Sequence, residues 1–412
     1  MQDGTETTFN CGKSIFNPDT DGASTLTSND EEPDFNYTYF GGLYVNGNIS
    51  FATSGGASSK RWGTLNVNKD VVDGKGAYAN SSIYVSGNMT VNSGNINATL
   101  TCGMNGFGED YTVQATLIVL GDYTQVNGNV LLETKESTEQ EYYLPSILCG
   151  GFMSNLAALM TGELTTIPKM TIGTSDTGTK DCTLIINCKA TSLAYNYALV
   201  TFDFEMNAGE VDINAGSYND LMVDEPQSIG LANFYNFTMN GGDLYAYAGG
   251  FYSMGGEVDL KAEAYAIMAQ GEYTQTGGSV TAKASPKSGS DYGSSTDLSH
   301  ADELYAISCS RNLTITDGQI DAEAGLKDSL EANSPMETEA IYVGDNLTIG
   351  KANSGLANDL NFTANAYNAK EESVGLYVSE DTFIYYGTIN ANSGNIYNPS
   401  DSEITESTTY GF

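Results

Sequence analysis

One phrase recurs nine times along this chain in recognisable form. Ile341-Tyr342-Val343-Gly344-Asp345-Asn346-Leu347-Thr348-Ile349 repeats the pattern of Ile83-Tyr84-Val85-Ser86-Gly87-Asn88-Met89-Thr90-Val91 and of Leu43-Tyr44-Val45-Asn46-Gly47-Asn48-Ile49-Ser50-Phe51. A second phrase usually follows, as in Asn92-Ser93-Gly94-Asn95-Ile96-Asn97-Ala98 and Thr276-Gly277-Gly278-Ser279-Val280-Thr281-Ala282. The polar residue that opens the second strand of each unit serves as a register mark: Asn48, Asn88, Asp122, Asp203, Asn236, Glu272, Asn312, Asn346 and Asp381. Successive marks lie 33 to 40 residues apart except for one gap of 81, so a degenerate unit is expected between residues 145 and 190. Self-similarity at a fixed period of this size means a stacked array of about ten supersecondary units.

Within a unit apolar and polar residues alternate. Ile341, Val343, Leu347 and Ile349 face one way, whereas Tyr342, Asn346 and Thr348 face the other. Period two over short runs bounded by Gly and Asn is strand patterning with one buried face. Residues 145–166, around Leu156-Ala157-Ala158-Leu159-Met160, are the only helical candidate. Three short strands in each of about ten coils describe an all-β parallel β-helix, a rod about 50 Å long at the ~4.8 Å spacing of paired strands. A propeller would need four strands per blade and its own signatures. A row of sandwiches would repeat every ~90–100 residues. The expected organisation is an irregular N-terminal cap over residues 1–40, the β-helix over 41–395 and a tail over 396–412.

Sixteen Lys and Arg stand against 52 Asp and Glu, a formal charge of −36. Such a surface repels nucleic acid and anionic membranes, which excludes both as partners, and it attracts divalent cations. No stretch approaches the ~18 apolar residues of a membrane span, so no membrane insertion is expected. Met1 is followed by polar Gln2-Asp3-Gly4, so an exported protein would have its signal peptide absent from this chain. Six cysteines are few for this length; Cys102 and Cys309 fall on inward positions. Cys182 and Cys188 are about 20 Å apart along one strand, too far to bond each other, leaving core thiols or bridges elsewhere as the alternatives. Nine Asn-x-Ser/Thr sequons occur, several of them at the register mark itself, where strand and turn chemistry already asks for Asn and Thr.

Asn17-Pro18-Asp19-Thr20-Asp21-Gly22 has the oxygen donors and the sharp-turn Gly of a calcium loop, with Asn17, Asp19 and Asp21 as metal ligands, but Ser28 stands where the bidentate Glu belongs. Acidic pairs recur between coils: Asp70 and Asp73, Glu109 and Asp110, Asp224 and Glu225, Asp302 and Glu303, Glu380 and Asp381. The single histidine, His300, lies in a polar loop, and no carboxylate spacing singles out an acid–base pair, so no enzyme is expected and no catalytic residue is assigned. Outward tyrosines are the better lead. Tyr44, Tyr84, Tyr342 and Tyr377, with the lone Trp62, would offer rings to sugar faces if the repeats align them.

The phrases Ile-Tyr-Val-x-Gly-x-Leu-Thr-Ile and Gly-Gly-x-Val-x-Ala make the chain resemble right-handed parallel β-helix surface proteins of anaerobic and gut bacteria over about residues 40–398. The resemblance implies an extracellular, cell-surface location. Relatives labelled carbohydrate-binding imply calcium and acidic polysaccharide as ligands. A β-helix also has two open ends that must be capped or paired, and Tyr410 and Phe412 of the tail are the candidates for joining one subunit to the next. The expected function is an exported, non-enzymatic structural or adhesive β-solenoid that self-associates end to end as the subunit of an extracellular filament. The alternative is a calcium-dependent polysaccharide-binding module.

Overall fold

The structure, a computed structural model, describes residues 6–11, 39–52, 63–70, 79–102, 112–136, 147–154, 166–174, 182–189, 195–216, 227–250, 263–286, 303–325, 327, 335–352, 360–369 and 371–395. These residues hold 31 strands, numbered β1 to β31 in chain order, in three sheets of parallel strands. The first full coil shows the plan. β2 (Tyr39–Val45) belongs to sheet 1, β3 (Ile49–Phe51) to sheet 2 and β4 (Thr64–Asp70) to sheet 3, after which the chain starts the next coil. Each strand pairs with its equivalents one coil before and one coil after, giving ten strands in sheets 1 and 2 and eleven in sheet 3. The fold is a parallel β-helix of ten coils.

The degenerate unit is present where the doubled spacing put it. β11 (Ile147–Ser154), β12 (Lys169–Ile172) and β13 (Cys182–Lys189) complete a full coil, with Lys169 at the register mark. The helical candidate is overturned over 147–154, which is strand β11; its apolar centre at 156–160 lies outside the described residues. The eleventh strand of sheet 3 is β1 (Glu6–Cys11), paired with β4 from Glu6↔Thr64 to Cys11↔Lys69. Sheet 3 therefore begins inside the segment expected to be an irregular cap.

Parallel in-register stacking sorts side chains into columns, because paired residues in neighbouring strands face the same way. The inward columns are apolar. In sheet 2 one column carries Met89, Tyr123, Met170, Phe204, Phe237, Tyr273, Leu313 and Leu347, all buried. Its rings stack on each other, Phe204 on Phe237 at 5.0 Å and Phe237 on Tyr273 at 4.5 Å. Each strand of sheet 1 bends at its middle, where two successive residues both turn inward, as do Ala340 and Ile341. Two consecutive side chains compete there for one corner of the interior. The bend residue is Gly, Ala, Ser or Thr in all ten coils, from Gly42 and Ser82 to Ala340 and Gly375. A Cβ built on Gly230 would lie 2.5 Å from the Ala266 carbonyl, so glycine is required at that point of the corner.

The register mark has a structural cause. In the turn between sheets 1 and 2 its side-chain oxygen accepts the backbone N–H of the mark one coil on: Asn88 to Asn48 at 2.8 Å, Asp122 to Asn88 at 3.0 Å, Lys169 to Asp122 at 2.9 Å, Asp381 to Asn346 at 3.1 Å. The residue after each mark donates back to the carbonyl of the next mark, as Ile49 does to Asn88 and Leu347 to Asp381. A short carbonyl- or carboxyl-bearing side chain is what that geometry needs. Lys169 lacks such an oxygen, and its ammonium instead pairs with Glu205.

Candidate functional site

Register in sheet 1 puts the tyrosines of the repeated phrase into one outward column: Tyr44, Tyr84, Ile118, Met153, Val200, Ala232, Met268, Ser308, Tyr342 and Tyr377. The column is aromatic only at its two ends. Tyr44 stacks on Tyr84 with centroids 5.0 Å apart and planes 5° from parallel; Tyr342 stacks on Tyr377 at 5.4 Å and 2°. The outermost ring of each pair is open to solvent, Tyr44 at 53% and Tyr377 at 45% exposure. Tyr84 points outward as the pattern demands, yet it is only 3% exposed, which corrects its reading as an open sugar platform. The physical reason is a second apolar layer outside sheet 1, which begins at Tyr84 and continues through Val113, Ala115, Ile118, Met153, Val200 and Ile229 in the following coils. An unbroken exposed aromatic ladder along the rod is therefore absent from this column.

The outward columns of sheet 1 change character toward the C-terminal end. Gln227, Glu263, Glu303, Glu337 and Glu372 form one column. Tyr197, Ile229, Tyr265, Tyr305 and Glu339 occupy the column beside it. Tyr265 and Tyr305 stack at 4.7 Å, and the Tyr305 hydroxyl donates to Glu303 at 3.1 Å. Gln227 donates to Glu263 at 2.9 Å. Burial first, then the facing Glu372 and Glu337 carboxylates, pushes the Glu339 carboxyl up to about 8. Burial first, then the neighbouring Glu263 and Glu303 carboxylates respectively, also holds the Tyr265 and Tyr305 phenols well above their usual range. The arrangement stores protons and hydroxyls on a surface otherwise dense in negative charge. Among the described residues no group of three or more His, Cys, Asp or Glu side chains is placed to hold a metal ion.

Asn17, Asp19 and Asp21 of the calcium loop, Trp62, His300, and Tyr410 and Phe412 of the tail all lie outside the described residues. So do most of the acidic pairs. Glu380 and Asp381 are described, and both serve the turn: Asn346 donates its side-chain amide to Glu380 at 3.2 Å, and its side-chain oxygen accepts the Asp381 N–H at 3.1 Å. Cys102, Cys182, Cys188 and Cys309 are free, buried thiols, filling core positions as Ala or Val would. Burial pushes Cys182 and Cys309 up to about 11, which leaves them protonated and chemically inert at neutral pH.

Two buried polar groups had no counterpart in the sequence reading. Tyr123-Thr124-Gln125 and Tyr273-Thr274-Gln275 are the same phrase four coils apart, and both tyrosines are fully buried. Each hydroxyl donates to the Gln two residues on, at 2.9 and 3.1 Å, and each Gln amide donates to backbone carbonyls: Gln125 to Gly128 and Thr183, Gln275 to Gly278 and Gln319. The shared Tyr-x-Gln spelling was the available signal, since a two-residue step in a strand keeps both side chains on one face.

The ends of the rod differ from its middle in one respect. Ile349 is fully buried, but Ile384, its partner one coil on, is 45% exposed, with Phe383 and Tyr385 beside it equally open. At the other end Phe9 of β1 occupies the inward column of Val67 and is 42% exposed. Among the described residues the apolar columns thus run out to solvent at both ends, at Phe9 and at Ile384. Among the described residues no helix is long and apolar enough to cross a membrane. Comparison with protein-family models, with curated proteins and with solved structures finds no match to this chain.

Proposed function

We propose that this chain is an exported, non-enzymatic cell-surface β-solenoid of structural or adhesive role, which assembles end to end as the subunit of an extracellular filament. The observation that carries the reading is the open core at both ends of the described rod: Phe9 on one and Ile384 on the other, each above 40% exposed while their partners Val67 and Ile349 inside the rod are buried. Parallel edges and apolar columns that stop at a surface favour addition of further strands. Contact between unlike ends repeats without closing and yields a fibre. The charge of −36 opposes that contact, so added salt or calcium promotes it by screening and bridging carboxylates. Negative-stain electron microscopy of the purified protein, with calcium and then with chelator, tests the reading. Filaments with an axial repeat near the rod length support it; dispersed short rods in both conditions overturn it.

The stacked, partly open pairs Tyr44–Tyr84 and Tyr342–Tyr377 favour a second reading, a calcium-dependent polysaccharide-binding module in which flat rings receive sugar faces. It requires a monomeric rod to bind glycan and to lose that affinity on Tyr377→Ala.

A further inference from the structure

We infer that residues 406–412 of this chain lie parallel to β29 (Glu372–Val378) as an eleventh strand of sheet 1. The inference stands apart from the filament reading. Among the described strands β29 is the last of its sheet, so its outer edge has no described neighbour. Its inward residues register the loss. Leu376 is 6% exposed where Ile341, its partner one coil back, is sealed, and Val378 is half-buried where Val343 is sealed.

The four strands leading to that edge share one spelling: β20 (Glu263–Ala269), β23 (Glu303–Cys309), β26 (Glu337–Val343) and β29. Each opens on Glu, buries its second residue, has Gly or Ala at the bend in fourth place, and turns apolar residues inward in fifth and seventh. Glu406-Ser407-Thr408-Thr409-Tyr410-Gly411-Phe412 follows the same order. Glu406 opens it, Ser407 repeats Ser373, and Thr409 takes the bend as Thr116 does in the third coil. Tyr410 and Phe412 then face inward, over Leu376 and Val378. No neighbouring register works: one residue later puts Tyr410 in the bend, and one earlier turns Glu406 inward.

The chain already sets out along that path. After β31 (Thr388–Asn392), the Gly394 N–H donates to Ser373 Oγ at 2.8 Å and the Asn395 N–H to Asn368 Oδ1 at 3.0 Å. The Asn395 carbonyl accepts the Ala369 N–H at 3.0 Å. These bonds lay residues 394–395 on the start of the connection that runs from β28 (Asn361–Ala366) into β29. Thirteen residues separate Asn392 from Glu406, within the 5 to 16 that separate sheet 3 from the opening Glu of the four strands named above. Following the β28–β29 connection residue for residue would instead bring Glu403 to an inward position, so the longer connection is the one the apolar pattern selects.

A free strand edge supplies the backbone partners, and burial of two aromatic side chains favours the contact. Glu406 extends a column that already holds four glutamates, and this like charge opposes it. Tyr410 and Phe412, candidates for joining one subunit to the next, thereby seal sheet 1 of their own rod. Sheets 2 and 3 keep their open edges, Ile384 among them.

Cross-linking by register tests the strand. E372C/E406C is made in the full chain with Cys11 and Cys149 changed to Ser, and oxidised mildly as a dilute monomer. Paired positions in neighbouring strands lie ~4.8 Å apart, within disulfide reach. E372C/T408C, displaced two residues along the strand, sets the Cα atoms ~8 Å apart, beyond it. Glu372 is exposed, and neither pair touches an inward position, so folding is retained. The expected result is a monomer in which E372C/E406C loses both new thiols and yields a linked peptide on digestion, while E372C/T408C keeps its thiols free. Cross-linking of neither pair, of both equally, or of the displaced pair alone overturns the strand. Covalent multimers of E372C/E406C overturn its assignment to the same chain and make 406–412 a strand given to a neighbour. Whether filaments form at high concentration is read separately and decides only the filament reading.

Discussion

Ile349 and Ile384 are the same position of the same phrase in adjacent coils, paired in one sheet, and one is sealed while the other is 45% exposed. β27 (Leu347–Ile349) and β30 (Thr382–Ile384) share that isoleucine, but among the described strands β27 has a neighbour on each side and β30 on one side only. The comparison shows that burial in this fold belongs to the neighbour and not to the strand. A solenoid's stability is a sum of coil terms and interface terms, and its last coil has one interface instead of two.

Ile349→Ala and Ile384→Ala break the comparison most directly. Removing a buried Ile leaves a cavity and costs ~2–5 kcal/mol, so Ile349→Ala should lower the denaturant midpoint sharply. Ile384→Ala should cost the isolated rod under about 1 kcal/mol, in line with its exposure. Equal effects would mean that something else seals the C-terminal end. Gly271→Ala follows in size. A Cβ there would lie 1.6 Å from the Tyr235 carbonyl of the coil before, so the turn must shift, at ~1–3 kcal/mol in thermal melts. The same substitution at Gly47, in the first coil, meets no atom within 4 Å and carries only the cost of its positive φ.

The acidic end of sheet 1 contributes a pH term. Glu339 holds its proton up to about 8 in the fold, whereas an unfolded Glu releases it near 4.3. The folded state therefore binds the extra proton between those values, and stability falls as pH rises from about 4.3 to about 8, with no further loss above. Glu339→Gln should raise the melting temperature at pH 9, leave it nearly unchanged at pH 4 and flatten the slope between. An unchanged slope would show that Glu339 does not carry the pH term. The smallest effect concerns the turn ladder. Asn346→Ala removes the acceptor of the Asp381 N–H and should cost ~1 kcal/mol. Asp381→Ala should leave the isolated rod nearly unaffected and weaken filament growth, read as filament length at fixed concentration.

Much of the fold was legible because the backbone repeats its hydrogen-bonding problem every coil. Asn and Asp at the mark answer it, and the inward apolar residues alternate without interruption through Ile83, Val85, Met89 and Val91. The tenth coil was legible from spacing alone, although Lys169 replaces the expected amide or carboxylate. Strand β1 was not legible, since Glu6-Thr7-Thr8-Phe9-Asn10-Cys11 carries no repeat phrase and 27 residues separate it from β2. Nor was the fate of the outward face. Tyr84 and Tyr44 share one pattern position, and only the apolar residues that the register sets beside Tyr84 seal it.

The amino-acid sequence by itself determined the strand period, the inward columns and the number of coils, because these follow from local alternation and from a turn that each coil must satisfy alone. Tertiary structure alone decided which outward residues share a column, that four glutamates stand one above another, and that tyrosine closes the column at both ends. Those facts arise from stacking at one strand spacing, which brings together residues some 35 positions apart whatever the length of the loop between them.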